Sequence, residues 1–283
     1  MMARPAADAR RIARRIALLN NKGGVGKSGT TARLAEALAK AGKRVLVIDM
    51  DPQGNSSGML GWRYDPKVKQ PTISQAIKAN TDPNEALGCA RQVFQPIGWK
   101  CSYAERIQIA PARLPLENRM SEAGIGGAWL RLRQALEGAD SDFDYVLIDC
   151  PPSLLHLTQL ALAAADDAVI VTDADVYAIE GAIRARDLIE KKAGTHLSNP
   201  GLQIRGVILN KFQDTVRQRE QRDSIHDIFG PLVWTPTVKY IESLATANTN
   251  SVSLEEFKGD RASEIRATYE LLGQTFLKEI PLP

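Results

Sequence analysis

Residues 16–28 read IALLNNKGGVGKS, and the architecture of the whole chain can be inferred from them. The first four side chains are apolar, which is typical of a strand buried on both faces of a parallel sheet. Three glycines then permit a tight turn, and the spacing of Leu34, Ala35 and Leu38 predicts a helix that ends near Gly42. The order strand, glycine-rich turn, helix indicates the first unit of a parallel α/β sheet.

The alternation of strands and helices continues along nearly the whole chain. It predicts an α/β fold with a doubly wound, mostly parallel sheet flanked by helices in a single domain. Residues 62–104 contain four prolines and are predicted to be an irregular insertion. Further strands are predicted at 45–49, 107–110, 145–149, 168–172, 204–209 and 232–235, and helices at 128–136, 154–165, 179–192, 216–229 and 263–277.

The composition excludes several classes of protein. With 283 residues, 44% of them hydrophobic, the chain can bury a sizeable core. No apolar run approaches the roughly 18 residues of a membrane helix, and no secretory signal is evident. The three cysteines form no C-x-x-C pair, so neither a disulfide framework nor a zinc site is indicated. We therefore expect a cytoplasmic protein.

The net charge of +3 is distributed unevenly along the chain. The first fifteen residues carry +4 and the remaining residues carry −1. Composition alone therefore does not predict a uniformly basic, nucleic-acid-binding protein. We expect residues 1–15 to form a flexible basic leader that either contacts phosphates or serves as a solubilising tail. Its charged residues are Arg4, Asp8, Arg10, Arg11, Arg14 and Arg15.

The glycine-rich turn at 22–28 predicts a site for nucleotide phosphates. Glycines let consecutive backbone N–H groups converge on an anion, and the helix N-terminus adds partial positive charge. Lys27 can reach the β- and γ-phosphates, and the hydroxyl of Ser28 can bind Mg²⁺. The loop has Asn21 where the usual P-loop has glycine, and it has an additional Lys22. The alternative is a plain strand-to-helix turn with an incidental lysine.

Acidic residues follow two of the predicted strands. Asp149 comes directly after the apolar residues YVLI, where a Walker-B aspartate holds Mg²⁺, commonly through water. Its alternative role is that of a helix cap or turn residue. Asp49 and Asp51 are two residues apart on an extended segment, so their side chains point the same way. Asp51 can orient the attacking water, and Asp49 can contact Mg²⁺-bound water or an amide of the loop.

Three segments of the chain resemble the nucleotide motifs of the ParA/MinD ATPases, a deviant-Walker-A branch of the P-loop NTPases. They are NNKGGVGKS at 20–28, VLVIDMDPQGN at 45–55 and YVLIDCPPS at 145–153. The second and third are most similar to ParA, the ATPase of plasmid and chromosome partition. The resemblance runs in motif order from about residue 16 to residue 276. It implies ATP or ADP with Mg²⁺ as cofactors and a homodimer formed with ATP.

The resemblance also implies roles for individual residues. Lys22 matches the signature lysine that reaches the partner subunit's ATP, and Lys27 matches the Walker-A lysine. Ser28 matches the Mg²⁺ ligand, Asp51 the switch-I aspartate needed for hydrolysis, and Asp149 the Walker-B acid that acts through water. Asp49 is a weaker candidate for a water-mediated metal contact.

The expected nucleotide site continues in the second half of the chain. Asn210 falls where the family contacts adenine, and Pro236 lies in the segment that closes over the base. Gly29 departs from the family, which has a hydroxyl residue there near the α-phosphate, and we expect Thr30 or backbone amides to substitute. The full nucleotide-binding set is Lys22, Gly23, Gly24, Val25, Gly26, Lys27, Ser28, Gly29, Thr30, Asn210 and Pro236.

The resemblance implies non-specific DNA binding by the ATP dimer and slow hydrolysis stimulated by a ParB-type centromere-binding protein. Residues 211–283 contain 9 basic and 11 acidic side chains, so that region is not basic overall. The alternative for its basic residues is an ordinary solvated helix face. The DNA-binding candidates are Arg217, Arg219, Arg222, Lys239, Arg261 and Arg266.

Competing functions within the same branch fit the sequence less well. A membrane-bound relative needs a basic amphipathic C-terminal helix, whereas this chain ends FLKEIPLP, so we expect no membrane partner. An iron-protein reductase needs cysteines that bridge a cluster between subunits, and Cys150 is the only candidate near the predicted site. The remaining alternative is an ATP-binding positioning or regulatory scaffold whose cargo is not DNA. For the partition function, the expected location is the cytoplasm, in association with the nucleoid.

Overall fold

A computed structural model describes residues 13–68, 70–78 and 87–283. Within these residues the sheet has seven strands in the order β3-β4-β2-β5-β1-β6-β7, and only the short edge strand β3 is antiparallel. This confirms the predicted α/β fold. The strands are β1 (Arg14–Leu19), β2 (Val45–Asp49), β3 (Gln95–Pro96), β4 (Ile107–Ala110), β5 (Tyr145–Asp149), β6 (Asp167–Asp173) and β7 (Gln203–Asn210).

Helices follow most of the strands, as expected of a doubly wound sheet. No helix in the described ranges is both long enough and apolar enough to cross a membrane. The α-helices are α1 (Lys27–Lys40), α2 (Asn55–Met59), α3 (Ile73–Ala76), α4 (Arg131–Leu136), α5 (His156–Ala164), α6 (Val176–Lys192), α7 (Val216–Phe229), α8 (Glu242–Thr249) and α9 (Ala262–Glu279).

The hydrophobic core lies in two layers, one on each face of the sheet. Successive side chains of a strand point to opposite faces, and in β1 Ala17 and Leu19 enter one layer while Ile16 and Leu18 enter the other. Helices α1, α8 and α9 cover the layer of Ile16, and α3 to α7 mainly cover the layer of Ala17. The strands are therefore buried on both faces, which explains their unbroken apolar runs.

The parallel strands bring the polar residues at their carboxyl ends to one edge of the sheet. β5 lies between β1 and β2, and the register places Asp49 opposite Asp149. The turn that follows β1 opens into α1 at the same edge, and β7 ends there at Asn210. In open α/β sheets, this is the edge at which ligands bind.

Two of the predicted segments differ from the structure. The strand predicted at 232–235 is wrong, because Gly230–Leu232 forms a 3-10 turn containing Pro231 and only Val233 bridges to Val207 of β7. The insertion at 62–104 supplies β3 and α3, and its buried Trp62 and Trp99 pack into one core layer. Residues 69 and 79–86 of this insertion lie outside the described residues.

The basic leader is shorter than predicted, because β1 begins at Arg14. The Nε of Arg14 lies 2.6 Å from a carboxylate oxygen of Asp167, and that of Arg15 lies 2.7 Å from Asp140. These ion pairs join β1 to neighbouring elements, so both arginines belong to the folded domain. The other charged leader residues, Arg4, Asp8, Arg10 and Arg11, lie outside the described residues.

Candidate functional site

The glycine-rich loop forms an anion cradle at the start of α1. Gly24 and Gly26 adopt φ values of 81° and 90°, a left-handed backbone that favours glycine. Lys27 opens the helix and is only 6% exposed, with its Nζ 3.1 Å from the carbonyl oxygen of Lys22. Burial lowers the pKa of Lys27, and the carboxylate of Asp149 opposes this effect. The loop thus holds a nearly buried ammonium group beside an acid.

Lys22 has a fixed backbone and an exposed side chain. Its N–H donates to Oδ1 of the buried Asn20 at 2.9 Å. Asn20 in turn donates to the carbonyl oxygens of Val171 and Ala178, which join it to β6 and α6. No role was predicted for Asn20, although a polar residue at the end of an apolar strand was a signal. The side chain of Lys22 is exposed to solvent, as a lysine that reaches another subunit must be.

Asp149 is fully buried among hydroxyl groups. Its Oδ2 accepts a hydrogen bond of 2.5 Å from Ser56, and the hydroxyls of Ser28 and Thr31 also contact the carboxylate. Burial raises the pKa of Asp149, while the hydroxyls of Ser56 and Ser28 and the ammonium group of Lys27 favour the charged form. The predicted Mg²⁺ ligand Ser28 and the predicted Walker-B acid therefore lie together.

Asp49 accepts hydrogen bonds from the segment that follows it in the chain. One of its oxygens accepts from the N–H and hydroxyl of Ser57 at 2.9 and 2.7 Å, and the other accepts from the N–H of Asp51. Burial and the neighbouring Asp149 both raise the pKa of Asp49. Both oxygens of Asp49 are thus bonded to protein donors, and its contact with metal-bound water stays a prediction.

Asp51 lies at the mouth of the same site. It is 8% exposed, one oxygen accepts from the N–H of Gln53 at 3.0 Å, and its charge acts on Lys27. Ser56 and Ser57 anchor this segment to the two buried acids, and sequence reasoning missed both serines. Their signal was a polar NSS run that begins a short helix directly after DPQG.

The donor set suits Mg²⁺. Carboxylate and hydroxyl oxygens are hard ligands, and Asp149 with Ser28 supplies both kinds. Among the described residues, no group of three or more His, Cys, Asp or Glu forms a metal site. Magnesium needs no such group, because it keeps several waters and is commonly held by one or two protein ligands and the substrate's phosphates.

Asn210 supports the phosphate loop from the end of β7. Its Nδ2 donates to the carbonyl oxygen of Val25 at 3.0 Å and to the hydroxyl of Thr30 at 3.2 Å. Thr30 is fully buried, so its hydroxyl faces Asn210 beneath the loop rather than the open side of the site. The next residue, Lys211, places its Nζ 2.6 Å from the carbonyl oxygen of Gly24. Sequence reasoning did not assign Lys211 to the loop.

The segment containing Pro236 runs alongside β7. The N–H groups of Trp234 and Val238 donate to the carbonyl oxygens of Val207 and Leu209, each at 2.9 Å. These two hydrogen bonds fix the residues on either side of Pro236 near the carboxyl end of β7. Pro236 therefore lies near the strand that ends in Asn210, and its place over a nucleotide base stays a prediction.

The six predicted DNA-binding residues all have partners within the chain. Five of them form ion pairs with four carboxylates, because Lys239 and Arg261 share Glu264, and carbonyl oxygens bind the sixth. The set does not form a free basic patch, and DNA binding by it stays a prediction. The contacts are Arg217 with Asp175 (3.9 Å), Arg219 with Asp214 (2.7 Å), Arg222 with Asp223 (2.8 Å), Lys239 with Glu264 (3.6 Å), Arg261 with Glu264 (2.7 Å) and Arg266 with the carbonyls of Leu254 and Phe257.

Cys150 does not have the properties of a ligand for a cluster shared between subunits. The side chain is buried in the core beneath the sheet edge, and burial raises the pKa of its thiol. Cluster ligation requires an accessible thiolate. This geometry argues against the iron-protein alternative.

Comparison with known proteins identifies the family. The AAA domain family matches residues 13–204. The sporulation initiation inhibitor protein Soj of Bacillus subtilis is 37% identical over 202 residues, which cover 69% of this chain and 71% of Soj. The chromosome-partitioning ATPase Soj of Thermus thermophilus is 35% identical over 225 residues, covering 78% of this chain and 80% of that protein. This chain belongs to the ParA/Soj family of ATPases.

Solved structures support the fold of this ParA/Soj-family chain. A plasmid partition protein from Borrelia burgdorferi superimposes with a TM-score of 0.67 at 23% identity, covering 95% of this chain and 99% of that one. The matches to the AAA domain family and to the two Soj proteins confirm the family resemblance inferred from the three motifs and the predicted ATPase activity.

Proposed function

We propose that this ATPase acts in DNA partition, binding DNA non-specifically as an ATP-dependent homodimer. The observation that carries the proposal is the arrangement of the two loop lysines. Lys27 is buried against Asp149, whereas Lys22 is exposed at the mouth of the same site. A site with one lysine turned inward and one turned outward suits a nucleotide shared between two copies of the chain. The name of the Thermus thermophilus relative, a chromosome-partitioning ATPase, supports the link to partition.

Phosphoryl transfer depends mainly on positioning and on charge neutralisation. Lys27 and the loop amides bind the phosphates, and Ser28 and Asp149 hold the metal ion, which supplies further positive charge when bound. Asp51 orients the attacking water, and the partner's Lys22 adds charge that one subunit lacks. Hydrolysis in this proposal depends on dimerisation, and a ParB-type partner stimulates it.

The test is DNA binding by the full chain in ATP and in ADP at several salt concentrations. We expect binding only with ATP, with an affinity that falls steeply as salt rises, because phosphate contacts release counterions. The variant Asp51→Ala prolongs the ATP state and should retain DNA binding. Equal binding with ATP, with ADP and without nucleotide would contradict the partition function.

A second candidate is an ATP-dependent scaffold whose cargo is not DNA. The internal partners of all six predicted DNA-binding residues favour it, because paired charges attract phosphates less strongly than free ones. The same assay separates the two functions. A scaffold would form dimers with ATP yet bind no DNA under any nucleotide condition.

A further inference from the structure

A polar side chain of α8 lies beside Gly29 in the first turn of α1. A Cβ at this position would lie 3.1 Å from Nδ2 of Asn248, a residue of α8. In a helix, the Cα–Cβ bond tilts toward the N-terminus, which here is the phosphate loop. The amide nitrogen of Asn248 therefore lies beside the first turn, in the direction of the loop.

Arg33 fixes the orientation of the Asn248 amide. Its Nε and Nη2 lie 3.0 and 2.8 Å from Oδ1 of Asn248. A guanidinium group has only donors, so the amide oxygen must face Arg33 and the NH₂ group must face Gly29. Arg33 is itself fully buried and held by Glu36 and by the carbonyl oxygen of Val252. The side chain of Asn248 is thus held in one orientation.

The NH₂ group of Asn248 has no acceptor within the part of the chain that the structure describes. The hydrogen bonds of this side chain are those that its oxygen accepts from Arg33. A half-buried amide with two unused donors lies beside a helix N-terminus, where anions bind. A nucleotide phosphate bound on the loop would supply the missing acceptor.

We propose that Asn248 is a nucleotide-binding residue whose Nδ2 donates to a phosphate oxygen of ATP or ADP at the first turn of α1. The inference rests on nucleotide binding at the P-loop. Asn248 lies in tight contact with the space that a side chain at residue 29 would enter, and it supplies the donor that Gly29 lacks. Arg33 is the positioning residue for this donor. The small residue at 29 and the asparagine at 248 therefore form one functional pair.

The variant Asn248→Asp tests the donor directly. It keeps an oxygen for Arg33 but replaces the NH₂ group with a second acceptor. We expect the affinity for AMPPNP with Mg²⁺, measured by calorimetry, to fall about tenfold or more, because hydrogen bonds to charged groups are strong. Thermal unfolding without nucleotide should stay close to wild type. An AMPPNP affinity within twofold of wild type would overturn the proposal.

Asn250→Asp is the matched control, because Asn250 is exposed, lies two residues further along and forms no side-chain hydrogen bond with described residues. We expect less than a twofold change in affinity. A loss equal to that of Asn248→Asp would assign the effect to general charge repulsion and overturn the proposal.

Substitutions at both residue 29 and residue 248 test whether the two side chains compete for the same space. They remain informative if Asn248→Asp does not fold. Gly29→Thr alone should weaken AMPPNP binding, because its Cβ would lie 3.1 Å from Nδ2 of Asn248 and the amide would have to shift. Gly29→Thr combined with Asn248→Gly should restore the affinity to within about threefold of wild type, since a hydroxyl then supplies the donor. A folded double variant that binds no better than Gly29→Thr alone would contradict the pairing.

Discussion

Gly26 shows how closely the phosphate loop is packed against β7. Its φ is 90°, and a Cβ there would lie 2.2 Å from Nδ2 of Asn210. The same Nδ2 donates to the carbonyl oxygen of Val25, so the amide both supports the loop and fills the space beside it. Glycine at 26 is required for backbone geometry and for this close approach, whereas Gly24 has a similar φ and open space around it.

The variants Gly26→Ala and Gly24→Ala separate these two requirements. Both place an alanine at positive φ, which costs about 1–2 kcal/mol. Gly26→Ala also has to displace Asn210, which should lower the free energy of unfolding by a further ~1–3 kcal/mol. Urea denaturation without nucleotide measures both values. Equal destabilisation of the two variants would contradict a supporting role of Asn210.

Among the elements, α1 is joined to several others through polar contacts of its side chains. Its buried Glu36 pairs with Arg33 at 2.7 Å and accepts a 2.7 Å hydrogen bond from the hydroxyl of Tyr103 in the insertion. Arg33 continues the network to Asn248 of α8. The insertion and the C-terminal elements are thus joined to the helix that carries the phosphate loop.

The variant Arg33→Met tests how much this network contributes to the free energy of unfolding. It leaves the carboxylate of Glu36 buried without its cation, and removing one partner of a buried ion pair costs about 3–5 kcal/mol. Lys40→Met on the same helix is the matched control, because Lys40 and Glu270 form an ion pair with both side chains nearly half exposed. We expect the control to cost at most about 1 kcal/mol. Similar unfolding free energies for both variants would refute a structural role for the network.

The elements also show what could be predicted from the sequence. β2 and β5 were predicted with their observed bounds, because strands buried on both faces require continuous apolar runs. Helix α8 was not predicted, because its sequence ESLATANT contains few apolar residues and one of them, Ala247, is buried. The contacts of Ser57 and Asn248 depend on chain segments brought together only by folding, so no local pattern could indicate them.

In the molecule as a whole, part of the +4 charge of the first fifteen residues belongs to the folded domain, because β1 begins at Arg14. Asp167 pairs with both Arg14 and Arg205, so Arg14 neutralises an acid within the sheet. Residues 1–12 then retain three arginines and one aspartate. Any contribution of the leader to DNA binding has to come from those three arginines.

Deleting residues 1–12 separates DNA binding from folding. We expect an unchanged midpoint of thermal unfolding, because β1 and its ion pairs remain intact. We expect weaker DNA binding in ATP and a plot of log affinity against log salt whose slope falls by up to about 3, roughly one unit per arginine lost. Unchanged DNA affinity would make the leader a solubilising tail.

Light scattering of the Lys22→Ala variant is the direct test of whether a second copy of the chain completes the ATP site through Lys22. With ATP and Mg²⁺, we predict that the wild type and the control Lys43→Ala, at the opposite edge of the sheet, double in mass. Lys22→Ala should remain a monomer and still bind ATP through Lys27. A Lys22→Ala variant that dimerises with ATP as the wild type does would contradict the account.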